Sequence, residues 1–168
     1  MTHGQTTRKI GIIGAVLTML VFTASIVAAA VTWHDGPNFS LIYDGSTAIG
    51  AHADGDGSGF GNQPAVATIS VDASVSYTCR NPGGNLAPGI TPVNETSEGA
   101  ADLNNADHNG RGTFSLDVTF TPAETVSGKA AGCPNGRWTG INPVWSGISS
   151  ATLTITQGNK VIYTDTLP

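Results

Sequence analysis

The chain is expected to be all-β: an immunoglobulin-like antiparallel sandwich of two sheets with one inter-sheet disulfide, Cys79–Cys133, preceded by an apolar N-terminal helix. Three observations predict it. Residues 65–79 alternate apolar and polar over fifteen positions with Val66 the one exception, the period of a strand with one buried face. Several short apolar stretches recur between Gly, Pro, Asn and Asp turn signals. Thr, Val and Ser are frequent beyond residue 30, and no stretch there carries a capped 3.6-residue apolar period, so strands are favoured over helices.

At the start, Arg8 and Lys9 precede the apolar run from Ile10 to Ile26, and Ala28-Ala29-Ala30 follows. A charged segment, an apolar segment and small residues at the exit make a signal peptide, residues 1–30, cut after Ala30. Left uncleaved, the 22-residue apolar span from Ile10 to Val31, interrupted only by Thr18, Thr23 and Ser25, is long enough to anchor the chain in a bilayer. Either way residues 31–168, one secreted domain by length, end outside the cytoplasm.

In chain order, Phe39 to Tyr43, Asp44-Gly45-Ser46 and Thr47 to Ala51 read as a hairpin. Ala53 to Asn62, with its alternating Asp and Gly, reads as a glycine-rich turn. The segment from Ala65 to Cys79 is one long strand or two joined near Asp72-Ala73, with Cys79 on its inward face. Thr113 to Thr121 is another strand: Phe114, Leu116, Val118 and Phe120 face one way, and Pro122 ends the pairing. Ala151 to Thr156, a turn at Gln157 to Lys160, and Val161 to Tyr163 form a second hairpin. Arg80 to Asn109 and Pro122 to Gly136 are long polar loops.

Beyond residue 30, five Lys and Arg stand against twelve Asp and Glu, a net charge of about −7. With no basic stripe, nucleic acid and anionic lipid surfaces are excluded as partners. The only cysteines, Cys79 and Cys133, lack Cys-x-x-Cys spacing and a neighbouring His, so one structural bridge is expected rather than a metal or redox site.

The chemistry-bearing candidates are few. Asp54, Asp56, Ser58 and Gly59 match the opening of an EF-hand loop, but position 12 is Ala65 rather than Glu, so an EF-hand is rejected. No cofactor is expected; a looser calcium turn on Asp54, Asp56 and Ser58 is the alternative. A strand carried through this stretch would put His52, Asp54 and Asp56 on one face. Gly55 and Gly57 argue against that, and a transition-metal site would need His34 or His108 as well. Neither a G-x-S-x-G elbow nor a fixed carboxylate pair is present, Glu95 and Glu98 lying in a polar loop. Trp138, near Cys133, is expected to pack on the bridge as in immunoglobulin-like cores. Trp145 and Trp33 are candidates for stacking on sugar rings.

Cys79-Arg80-Asn81-Pro82-Gly83-Gly84-Asn85, with Cys133-Pro134-Asn135-Gly136-Arg137-Trp138, Phe60-Gly61-Asn62 and Ser150 to Ile155, resembles a group of small secreted actinobacterial proteins. Their shared pattern is Cys-x-Asn-Pro-Gly-Gly-Asn followed by Cys-Pro-Asn-x-x-Trp, and the likeness spans most of residues 47–163. It implies export, a β-fold and the Cys79–Cys133 bridge; it carries over no catalytic residue.

The expected function is that of a secreted, non-catalytic interaction module whose partner is a protein or a cell-envelope polymer. A carbohydrate-binding module and a divergent secreted hydrolase are the alternatives.

Overall fold

The computed structural model describes residues 31–60, 63–103 and 110–168. The expected signal peptide or anchor (1–30), Gly61-Asn62 and His108 lie outside them. Among the described residues there are nine strands and no helix, hence no helix long and apolar enough to cross a membrane.

β1 (Thr32–Asp44) and β2 (Thr47–Ser58) form the first hairpin, turning at Gly45 with φ 61°, a left-handed value that glycine adopts without a Cβ clash. The other edge of β2 pairs antiparallel with β6 (Gly112–Thr119), giving a three-stranded sheet in the order β1-β2-β6. β2 runs through Ala53–Ser58 of the glycine-rich stretch expected to be a turn, and for those residues that reading is corrected. Ala51, Ala53, Gly55 and Gly57 point inward and are buried, while His52, Asp54, Asp56 and Ser58 alternate on the other side. The alternation was there in the sequence, but its inward members are too small to register as apolar.

The second sheet is built on β3 (Ala65–Arg80), a single unbroken strand. One edge of β3 pairs with β4 (Leu86–Pro88) and β5 (Val93–Leu103); the other pairs with β8 (Thr139–Gln157). The far edge of β8 carries β7 (Thr125–Ser127) near one end and β9 (Lys160–Leu167) near the other. β4, β5 and β7 lie within stretches expected to be loops. β5 escapes detection because its inward positions include Glu95, Ser97, Gly99 and Ala101, so period two is present without an apolar signal. The first half of β8 escapes because its register against β3 shifts three times, between Asp72 and Ala73, Ala73 and Val75, and Ser76 and Thr78. Each shift inserts an extra residue and flips the alternation; Asn142 (φ 51°) and Gly147 (φ 129°) absorb two of these kinks. Of the two readings for this stretch the single strand holds; what lies at Asp72-Ala73 is a bulge in the partner strand β8.

The apolar faces of the two sheets share one core. Ile69, Val71, Val75, Leu153 and Ile155 from the large sheet meet Ala51, Ala53, Phe114 and Val118 from the small one, with Phe60 at one end. Full burial of a Leu, Ile or Val side chain contributes about 1.5–3 kcal/mol, so these residues supply much of the driving force. Among the described residues no strand pairing joins the sheets, so these nine strands do not form a closed barrel. Cys79 of β3 is bridged to Cys133, in the segment between β7 and β8, with Cα atoms 5.7 Å apart.

Candidate functional site: the outer face of the three-stranded sheet

Because side chains of neighbouring strands stand side by side, the register of β1-β2-β6 places the polar groups in rows. Ser40, His52 and Asp117 form one row; Asn38, Asp54 and Ser115 the next; Asp35, Asp56 and Thr113 the third. Hydrogen bonds knit them together. His52 Nδ1 lies 2.6 Å from Asp117 Oδ1, and His52 Nε2 lies 3.0 Å from Asp54 Oδ1. Asn38 Nδ2 donates to the second Asp54 oxygen at 3.1 Å. Arg111 Nε donates to Asp56 Oδ1 at 3.0 Å, and its Nη2 engages Oδ2, a bidentate pair. His34 Nε2 lies 2.9 Å from Ser58 Oγ.

Electrostatics follow from these contacts. The Asp117 carboxylate first, then Asp54, hold the His52 imidazole above its ordinary 6.5, against the opposing effect of partial burial. The Arg111 guanidinium holds the half-buried Asp56 carboxyl below its ordinary value.

The expected calcium ligands Asp54, Asp56 and Ser58 do share a face, on alternate positions of a strand rather than around a turn. Both Asp54 oxygens and both Asp56 oxygens already have protein partners, and Ser58 Oγ meets His34. Calcium needs six to eight converging oxygens, and among the described residues no cluster of three or more His, Cys, Asp and Glu is arranged to hold a metal ion. The face contains the His52-x-Asp54-x-Asp56 ladder, yet what completes it comes from elsewhere in the chain: Asp117 on β6, Arg111 just before β6, and Asn38 on β1. No local motif marks those three; only the register of the sheet brings them in.

The tryptophans fall elsewhere. Trp33 packs against the core, edge-on to Phe60, Phe114 and Tyr163 at ring centroid distances of 5.7, 6.4 and 6.2 Å. Trp145 packs there too, 4.9 Å from Phe120. Half-buried rings held edge-on by other aromatics serve packing, which weighs against sugar stacking for both. Trp138, expected in the core, lies outside the core cluster and is half-buried. The aromatic that does reach the core near the bridge is Tyr77, whose hydroxyl meets the Glu95 carboxylate and lies 3.0 Å from the Ala123 carbonyl.

An open groove lined by Ala101, Asp102, Thr113, Phe114 and Ser115 borders the polar face, between β5 and β6. No known protein family, curated protein or solved structure matches this chain.

Proposed function

We propose that residues 31–168 work outside the cytoplasm as a non-catalytic interaction module, an immunoglobulin-like sandwich that presents the outer face of β1-β2-β6 to a cell-envelope polymer rich in hydroxyl and amide groups. The observation that carries this reading is the mutual hydrogen bonding of Asn38, His52, Asp54 and Asp117 across three strands. It fixes a polar surface before any partner arrives, so little side-chain entropy is lost on binding. The disulfide is compatible with an oxidising compartment, and the apolar leader supplies the route of export.

Co-sedimentation of the purified domain with cell-wall material from its own host tests the reading. The wild-type domain should sediment, and Ser115→Lys, which plants a long cation in the middle row, should remain in solution with an unchanged melting temperature. Equal sedimentation of both proteins, or of neither, sinks it.

One contact favours a second reading, the secreted hydrolase. Ser58 Oγ and His34 Nε2 have the separation of a nucleophile and its base. Among the described residues no carboxylate hydrogen-bonds the other His34 nitrogen, and both groups sit at the open end of the sheet, where water is not excluded. Labelling of Ser58 by a fluorophosphonate, lost in His34→Ala, would establish this reading in place of the first.

A further inference from the structure

We propose that His52 is a proton-operated clip that fastens β6 to β2, so that the hold on the outer strand of the three-stranded sheet loosens as the medium turns alkaline. β6 depends on this side of the sheet, for among the described residues its only strand partner is β2, through the ladder from Gly50–Thr119 to Gly57–Gly112. His52 stands directly opposite Asp117 in that ladder.

The chemistry lies in the count of ring protons. Both ring nitrogens of His52 are within hydrogen-bond distance of a carboxylate oxygen, Nδ1 of Asp117 on β6 and Nε2 of Asp54 on β2. A carboxylate accepts and does not donate, so both nitrogens must carry a proton, which only the imidazolium does. In neutral imidazole one nitrogen presents a lone pair. One of the two contacts then becomes a repulsion between that lone pair and a carboxylate oxygen. Losing the proton therefore weakens a tie of the ring to a carboxylate and removes a positive charge from a face already rich in Asp.

The groups around the ring reinforce the charged form. On its own strand the titratable neighbours are Asp54 and, one row on, Asp56, which is engaged by Arg111. From β6 the facing carboxylate is Asp117, and from β1 the facing residues are Ser40 and Asn38, neither titratable. Asn38 fixes the second oxygen of Asp54, leaving the first for His52. The titratable groups of β1 on this face are farther off: Asp35 stands opposite Asp56 in the third row, and His34 sits at the Ser58 end.

The sign follows from linkage. The folded state holds the His52 proton more tightly than its ordinary 6.5, so the clip's contribution is complete below pH 6.5 and is lost as pH rises through the raised value. Any state with β6 detached returns His52 toward 6.5. Across that window the β6 opening equilibrium changes about tenfold for each unit by which the sheet raises the group.

Nuclear magnetic resonance tests this on the secreted domain, whatever the face binds. His52 ring-proton shifts and β6 amide exchange, corrected for intrinsic base catalysis, are followed from pH 5 to 9 in the wild type, His52→Gln and Asp117→Asn. His52 should titrate above 6.5 and move down in Asp117→Asn. Wild-type β6 amides should open more readily across that titration while β3 amides do not, and His52→Gln should show no such step. A His52 titrating at or below 6.5 in the wild type, which needs no variant to fold, overturns the proposal; so does an unchanged β6 profile in His52→Gln.

Discussion

A Cβ built on Gly57 would lie 2.9 Å from Cε3 of Trp33, and 3.2 Å from two carbons of Phe60. The glycines of the Ala53–Ser58 stretch are there because aromatic rings occupy the space their side chains would fill. Gly55 stands in the same relation to Phe114, whose Cε1 would be 2.8 Å away. Gly57→Ala should therefore destabilise the domain by about 1–3 kcal/mol through overpacking, read as a lowered urea midpoint with unchanged slope. In a flexible connector the same change would be neutral or slightly stabilising.

That relationship also explains what could and could not be read from the residues alone. Ala65 to Cys79, Thr113 to Thr119 and the hairpin around Gly158 announce themselves because their inward positions are apolar and most carry a large side chain such as Ile69, Val71, Phe114 or Leu153. β2 hides because its inward residues are alanine and glycine, chosen by rings that arrive from Trp33, Phe60 and Phe114. β5 hides because it buries Glu95 and Ser97 only partly, and β8 because its bulges break the count. The polar face was half legible: His52, Asp54 and Asp56 share a strand, whereas Asn38, Arg111 and Asp117 join them only through pairings far apart in sequence.

Calcium should leave the domain indifferent. The oxygens of Asp54 and Asp56 are already engaged by His52, Asn38 and Arg111. A bound ion would raise stability by mass action. The melting temperature in millimolar calcium should match that in chelator; a reproducible rise with calcium would restore the Asp54–Asp56–Ser58 site.

Tyr77 gives the fold an alkaline limit. Burial first, then the hydrogen bond to Glu95, raises its hydroxyl pKa above the ordinary 10.0. The unfolded chain therefore loses this proton at a lower pH than the folded one. The contribution is complete below pH 10 and falls away as pH rises above it. Tyr77→Phe should cost about 1–2 kcal/mol at neutral pH and flatten part of the decline above pH 10. Tyr163, raised by burial and Asp165, acts in the same direction.

The bridge spans a sequence separation of 54, for which the loop-entropy relation gives about 4 kcal/mol. The double variant Cys79→Ala, Cys133→Ala should lose stability on that scale in chemical denaturation. A loss well under 1 kcal/mol would show that the β3–β8 ladder holds this end of the sheet without help from sulfur.

The account rests on residues 47–58 being one strand, with glycine inward and Asp outward. Cross-strand backbone nuclear Overhauser effects measure this directly. Contacts linking Asp54 to Asn38 on one side and to Ser115 on the other, with slowly exchanging amides along 51–57, are the expected result. Rapid exchange through 53–58 with no contact from Asp54 to either neighbour would contradict it.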